Sequence, residues 1–218
     1  MLQLHYFPGN ASLIPHLVLE ELGESFELKY VDRAVAAHKS EPFLALNPNG
    51  LIPVLVDTGY MPKPLVLYET AAICLHLADT HAAAELMPPI GTIGRAHAYK
   101  WLMWLTNTLH TALIVYFYPE RWADDAAAIA QVKAHAETKI DAMIDQLEAE
   151  FSSHGGAWLL GEAFSILDPY AFVLCRWTRA FHKPARDRVG LKPWLERMQA
   201  RPAVQRALAT ENLKPPVV

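Results

Sequence analysis

Hydrophobic and polar positions alternate near the start of the chain and then change to helical spacing. Residues 2–7 (LQLHYF) alternate and predict a strand, whereas residues 12–23 show helical spacing that ends at Gly23. Residues 25–32 (SFELKYVD) alternate again and predict a second strand. A strand, a helix and a strand over about 30 residues form a βαβ unit, whose two strands pair in parallel.

The pattern after this βαβ unit predicts the rest of a small sheet. Residues 39–50 predict a short helical or irregular piece that ends in a cluster of turn residues. Residues 51–57 and 64–69 predict two strands that are close enough in sequence to form an antiparallel hairpin, and residues 70–79 predict a helix. The order βαβ-α-ββα predicts a four-stranded mixed α/β domain.

Helical spacing dominates the rest of the chain. We expect an α/β domain at residues 1–80, a linker at 81–91 that contains two adjacent prolines, and an all-helical domain at 92–218. The expected helices are at 92–118, from residue 124 to about 155, from a Ser165-x-x-Asp168 capping box onward, and at 193–199.

Residues 101–118 (WLMWLTNTLHTALIVYFY) are long and apolar enough to suggest a membrane span. Asn107, His110 and several threonines interrupt the run, and polar side chains are costly inside a membrane. We therefore interpret the segment as a buried helix of the helical domain and expect no membrane partner.

Composition is that of an ordinary globular protein, with 52% hydrophobic residues, 19% charged residues and a net charge of −4. This charge is not that of a nucleic-acid-binding protein. Cys74 and Cys175 form no C-x-x-C pair, which argues against a disulfide framework, a metal site or a two-cysteine redox centre. The first residues lack the pattern of a secretory signal, so we expect a cytoplasmic protein.

Several residues at the ends of predicted elements have two interpretations. Ser12 lies where the first strand turns into the first helix, where a serine is typical of a helix cap but also helps to hold an anion. Glu69 and Thr70 at the start of a later helix leave the same alternatives open. Pro53 is typical of a strand edge.

Five segments, in this order along the chain, resemble the cytosolic glutathione S-transferases and most closely their bacterial beta-type branch. They are YFPGNAS (6–12), NPNGLIPVL (47–55), YETAAICLHLAD (68–79), FSILDPYAF (164–172) and WLERMQARPAVQRAL (194–208). The resemblance implies a thioredoxin-like first domain, an all-α second domain and a homodimer. It also implies a role in detoxification, in which glutathione is added to an electrophilic, mainly apolar small molecule without a metal.

The resemblance also implies a binding site for glutathione in the first domain. A cis bond at Ile52-Pro53 would turn the Ile52 N–H and C=O outward, where an extended peptide can pair with them. The Thr70 hydroxyl and the free N–H groups of its helix would receive the γ-glutamyl carboxylate, and Glu69 would pair with the ammonium group. The other residues that it assigns to glutathione are Tyr6, His38 and Lys39.

The beta-type branch carries a cysteine next to a serine in the first strand–helix turn, where this chain has Ala11 and Ser12. The departure argues against a mixed disulfide between enzyme and glutathione, but thiol transfer needs only the sulfur of glutathione. We expect the thiolate to be stabilised by the Ser12 hydroxyl, the Asn10 amide or the helix terminus alone.

His110 matches a histidine that the beta-type branch carries in its long helix, although it also fits a core histidine. The resemblance makes it a catalytic candidate together with Ser12 and Asn10. Residues on or near its face are expected to form an electrophile pocket: Met103, Asn107, Ile114 and Phe117. The alternative functions are a glutathione-dependent peroxidase or disulfide reductase, and a non-catalytic ligand- or protein-binding protein.

Overall fold

The computed structural model describes residues 1–218 and divides into two compact units. The first, here called the α/β unit, contains Met1–Leu86 and Ala200–Lys214. The second, the helical unit, contains Met87–Gln199 and Pro215–Val218. The expected all-helical domain covers residues 92–218. The structure differs because the last helix packs on the first one and so belongs with the sheet.

The α/β unit contains a four-stranded sheet in the order β2-β1-β3-β4. β1 pairs with β2 in parallel and β3 with β4 antiparallel, as the βαβ unit and the hairpin predict. The sheet is joined by an antiparallel pair of β1 and β3. Its elements are β1 (Leu2–Tyr6), α1 (Leu13–Leu22), β2 (Phe26–Tyr30), α2 (Glu41–Leu44), β3 (Val54–Asp57), β4 (Leu65–Tyr68) and α3 (Thr70–Thr80).

β3 begins at Val54, later than the apolar run from residue 51 predicts. Pro53 has no N–H to donate, so the ladder starts only after it. Val54, Leu55 and Val56 are all buried. Both faces of β3 are therefore covered, which explains why its sequence is continuously apolar rather than alternating.

The helical unit contains α4 (Ile93–Trp104), α5 (Thr111–Phe117), α6 (Ala126–His154), α7 (Leu167–Trp177) and α8 (Lys192–Ala200). The predicted helix at 92–118 is present, but a π-helix at Leu105–His110 separates α4 from α5. Such a segment has wider turns, which shift the face that each later side chain presents. None of the helices combines the length and the apolar composition that a membrane span requires.

The start of α7 is fixed by the fully buried carboxylate of Asp168. Oδ2 accepts the Ser165 N–H (2.9 Å), and Oδ1 accepts the Leu159 N–H (2.9 Å) and the Trp194 indole N–H (3.1 Å). The Ser165 hydroxyl accepts the Leu167 N–H (3.3 Å). Burial raises the pKa of Asp168 to about 6, although these hydrogen bonds act in the opposite direction.

The last helix, α9 (Pro202–Thr210), belongs to the α/β unit and packs on α1. One buried and one exposed polar contact lie beside this helix pair. Glu211, directly after α9, has a buried carboxylate whose Oε1 lies 2.8 Å from His16 Nδ1. Its Oε2 accepts the N–H of Gly9 (2.7 Å). Arg206 pairs with Glu20 at the exposed side of the same helix pair. Glu211 therefore connects the end of α9 to the turn that precedes α1.

We expect Glu211→Ala to lower the free energy of unfolding by about 1–3 kcal/mol, because the buried His16 ring loses its carboxylate partner and the Gly9 N–H loses one acceptor. Arg206→Ala on α9 is the matched control. It removes an exposed ion pair and should change the free energy by less than about 1 kcal/mol. Urea unfolding followed by circular dichroism measures both values, and equal losses would contradict a special role for the buried carboxylate.

Candidate active site

Strand register brings three segments of the α/β unit to one edge of the sheet. His5 pairs with Val54, and Val54 pairs with Tyr68. The turn after β1, the Ile52-Pro53 segment before β3 and the Glu69-Thr70 segment after β4 therefore lie at the same end of their strands. Ligands commonly bind at strand ends in open α/β sheets.

Asn10 lies in the turn between β1 and α1 and is half-buried. Its Oδ1 accepts the N–H of Ala11 at 2.7 Å. A backbone N–H can only donate, so this bond identifies the oxygen and leaves Nδ2 as the amide donor. The two N–H groups of Nδ2 have no partner within the chain and are free to donate to a ligand.

Ser12 is fully buried, and its hydroxyl is used by the backbone of Phe7. It donates to the Phe7 carbonyl (3.1 Å) and accepts the Phe7 N–H (3.2 Å). It caps no N–H of α1, so the cap interpretation is wrong. A hydroxyl has one proton, and here the Phe7 carbonyl receives it. A bond from Ser12 to a thiolate would therefore replace its bond to the Phe7 carbonyl.

The Ile52-Pro53 bond is cis, as the resemblance implies. No hydrogen bond within the chain uses the N–H or C=O of Ile52. The loop before it is braced by the buried Asn47, whose amide donates to the Leu51 carbonyl at 2.8 Å. A braced strand edge with one unpaired N–H and one unpaired C=O can pair with an extended peptide.

Thr70 is the first residue of α3, and its hydroxyl has no partner within the chain. The first N–H groups of a helix lack helical acceptors, so this end offers several donors. Glu69 precedes the helix with φ of +73°, in a region that non-glycine residues rarely adopt. Strain of this kind is often found at ligand sites.

The remaining candidates of the α/β unit lie on either side of this edge. Lys39 donates to the Asn49 carbonyl (3.1 Å) in the turn that leads to Ile52. His38 is adjacent to Lys39. Burial is the main cause that lowers the pKa of His38, and the charges of Arg33 and Lys39 lower it further. In contrast, Tyr6 makes ring contacts away from this turn, with His16 and Tyr30. Burial raises the pKa of Tyr6, and the charge of Glu211 adds to the effect.

His110 ends the π-helix of the helical unit and is largely buried. Its Nδ1 lies 3.2 Å from the hydroxyl of Tyr170, and its ring meets the Trp177 ring edge-on with the centroids 5.1 Å apart. Burial lowers the pKa of His110 to about 4, so the ring is neutral near pH 7.

Only one of the four expected pocket residues joins the aromatic cluster around His110. Phe117 meets Trp177 edge-on with the centroids 6.2 Å apart. Met103 and Asn107 are exposed, and Ile114 is half-buried. Tyr170 and Trp177 cannot be recognised as site residues from the sequence, because aromatic residues in a buried helix give no signal that distinguishes a site from a core.

Both cysteines are buried. Burial raises the pKa of Cys74 far above its usual range and that of Cys175 to about 12. A thiol reacts as its thiolate, so neither side chain is a reactive nucleophile.

Two family models match the chain. Residues 11–80 match the model described as the N-terminal domain of glutathione S-transferase, and residues 114–209 match the model of its C-terminal domain. The glutathione S-transferase GstA of Escherichia coli O157:H7 is 31% identical over 98% of this chain and all of its own length.

Solved structures agree with these matches. A glutathione transferase homologue from Sulfitobacter with bound glutathione superposes with a TM-score of 0.86 at 27% identity, over 96% of this chain and 98% of its own. A sphingomonad glutathione S-transferase complexed with glutathione gives a TM-score of 0.82 at 31% identity, over 97% of this chain and all of its own. The chain therefore belongs to the glutathione S-transferase family.

Proposed function

We propose that this transferase binds glutathione at the described edge of the sheet and adds its thiolate to an electrophilic carbon of a mainly apolar small molecule. Family membership and the glutathione-bound neighbours support transferase activity with glutathione as co-substrate. One observation carries the proposal for the site. Unpartnered polar groups of Asn10, Ile52 and Thr70 lie at strand ends that the sheet register brings together.

Each part of glutathione has a chemically matched group at this edge. The peptide backbone pairs with the N–H and C=O of Ile52 beside Pro53, as an added strand does. The γ-glutamyl carboxylate binds the Thr70 hydroxyl and the free N–H groups of α3, while Glu69 binds the ammonium group. Lys39 and His38 are the candidates for the glycine carboxylate, and Tyr6 stays a weaker candidate.

Asn10 stabilises the thiolate in this proposal. Lowering the pKa of a free thiol, about 8.5, by two units takes about 2.7 kcal/mol of preference for the anion. A hydrogen bond from Asn10 Nδ2 to a charged sulfur contributes about 1.5–3 kcal/mol. The N-terminus of α1 adds about 0.3–1 kcal/mol. These two contributions are sufficient without a general base.

The reaction then needs no nucleophile from the protein. The thiolate attacks the electrophilic carbon, a C–S bond forms, and in a substitution the leaving group departs with its electron pair. Binding both reactants supplies proximity, and thiolate formation supplies the nucleophile. The buried cysteines and Ala11 argue against the alternative peroxidase or disulfide-reductase chemistry through a protein thiol.

We expect Asn10→Ala to raise the apparent pKa of bound glutathione by about one unit or more, because the sulfur loses a charged hydrogen bond. The measurement is a pH titration of the ultraviolet absorbance of the thiolate. Ser12→Ala is the matched control and should leave this pKa nearly unchanged, since its hydroxyl bonds Phe7. A pKa that moves with Ser12 and not with Asn10 would contradict the assignment. An ordinary thiol pKa in the wild type would favour a non-catalytic ligand-binding protein.

We propose that the electrophile binds in the helical unit against the ring cluster of His110, Trp177 and Phe117. Aromatic faces and edges suit an apolar and often aromatic ligand. Met103, Asn107 and Ile114 are the more peripheral candidates for this pocket. His110 is neutral at the pH of the reaction, so it acts there as a hydrogen-bonding group rather than as a cation.

The lowered pKa of His110 predicts a loss of stability in acid. The unfolded histidine takes up its proton near pH 6.5, whereas the folded one does so only near pH 4. The free energy of unfolding therefore falls as the pH is lowered from 6.5 to 4, by at most about 3 kcal/mol from this residue. His110→Gln should show a smaller fall in urea unfolding at these pH values. His135→Gln, at an exposed position, is the control and should match the wild type.

We further propose a cytoplasmic homodimer. The two free cysteines support a reducing compartment. Support for self-association comes from the loop between β3 and β4, where Tyr60 is 43% and Met61 85% exposed. Large exposed apolar side chains next to each other are typical of interfaces.

Met61→Glu should shift the protein toward monomer, because a charge at the interface loses its hydration on association. Val35→Glu is the control, since Val35 is 73% exposed on a different loop of the same unit. Sedimentation equilibrium measures both association constants. A dimer that tolerates Met61→Glu as well as Val35→Glu would assign the interface elsewhere.

A further inference from the structure

The hydrogen bond between His110 and Tyr170 takes no part in glutathione binding or in thiolate formation. Tyr170 is fully buried in the first turns of α7, two residues after Asp168. The Asp168 carboxylate is held by donors from the loop before α7 and from α8. The phenol of Tyr170 therefore projects from the most firmly anchored part of this helix.

The two ring nitrogens of His110 have different surroundings. Nδ1 lies 3.2 Å from the Tyr170 hydroxyl. Nε2 makes no hydrogen bond within the chain and is not completely cut off from solvent, so it is the nitrogen left for a ligand. A neutral imidazole carries a proton on one nitrogen only, so the partner of Nδ1 decides what Nε2 can do.

A phenol O–H is more acidic than an imidazole N–H, and an imidazole nitrogen is more basic than a phenol oxygen. The stronger arrangement of this pair has the phenol as donor and Nδ1 as acceptor. The proton of the imidazole then lies on Nε2.

We propose that Tyr170 is a positioning residue, which donates to His110 Nδ1 and holds Nε2–H as a neutral hydrogen-bond donor for the electrophile. The inference rests on the proposed function for the identity of that ligand. An Nε2–H donor at His110 favours electrophiles with an acceptor oxygen, such as an α,β-unsaturated carbonyl compound. When the thiolate adds to the β-carbon, the electron pair of the C=C bond moves toward the carbonyl oxygen, which becomes an enolate oxygen.

Nε2–H donates to this oxygen as its negative charge grows, and His110 keeps its proton throughout. Water supplies the proton that completes the addition. The edge-on contact with Trp177 keeps the ring in one orientation, with the centroids 5.1 Å apart. Donors that are held in place toward a developing charge are among the largest contributions to catalysis.

The first experiment reads the tautomer directly by ¹⁵N NMR of histidine-labelled protein, without any substrate. We expect the Nε2–H tautomer in the wild type and a mixture of tautomers in Tyr170→Phe. Tyr116→Phe is the matched control, because its hydroxyl makes no hydrogen bond in the chain while its ring packs on Phe181 in the same unit. An Nδ1–H tautomer in the wild type overturns the proposal even if Tyr170→Phe fails to fold.

The second experiment compares two electrophiles at saturating glutathione, an enone and a benzyl halide that has no acceptor oxygen. The ratio of their kcat/KM values should fall about fivefold in Tyr170→Phe and stay constant in Tyr116→Phe, as expected for one hydrogen bond. His110→Gln carries an amide N–H near the position of Nε2 and should keep a larger share of this ratio than His110→Asn.

Two results separate this proposal from the proposed function. If the ratio is unchanged while the absorbance of bound thiolate remains, the transferase function stands and the role of Tyr170 is wrong. If the pH profile of kcat/KM for the enone shows an ionisation in the wild type that is missing in His110→Gln, then His110 acts as a base and the donor role is wrong. Loss of the thiolate absorbance in the wild type would instead refute the proposed function itself.

Discussion

The hydrogen-bond register of β3 with its two neighbours is the constraint on which the glutathione site depends. β3 is central and buried on both faces, and it pairs with β1 on one side and β4 on the other. Because Val54 is paired with both His5 and Tyr68, the chain segments next to these residues must meet at one edge. A slip of one residue would exchange the two faces of β3 and move the polar groups before it out of line with those after β1 and β4.

The hydrogen bonds of Ser12 and Asn10 distinguish these two residues better than their residue types do. A serine at the start of a helix and an asparagine two residues before it both qualify as thiol partners by composition. In the structure, the Ser12 hydroxyl donates its proton to the Phe7 carbonyl. The Asn10 Oδ1 accepts the Ala11 N–H, which leaves the Asn10 Nδ2 available as a donor. The Ser12 hydroxyl is therefore used by the backbone, whereas the Asn10 amide nitrogen stays unbonded within the chain.

The same turn also depends on the far end of the chain. The buried carboxylate of Glu211 accepts the N–H of Gly9 and approaches His16, so the segment after α9 holds the loop that carries Asn10. In the helical unit, Asp168 has a comparable role, because its carboxylate fixes the start of the helix that supplies Tyr170 to His110. In each unit a buried carboxylate holds the backbone from which a candidate site residue projects.

Element order, the mixed sheet, the helical second part and the segments that carry the family resemblance can all be read from the amino-acid sequence. Period-two and helical patterns reflect local burial, and turn residues act through local backbone sterics, so a linear reading can recover them. Three other features are visible only in the folded chain: α9 packs with the sheet, the Ser12 hydroxyl bonds Phe7, and Tyr170 bonds His110. These facts depend on contacts between residues far apart in the chain, or on which of several possible partners receives one proton. A local sequence pattern encodes neither the long-range contacts nor the choice of hydrogen-bond partner.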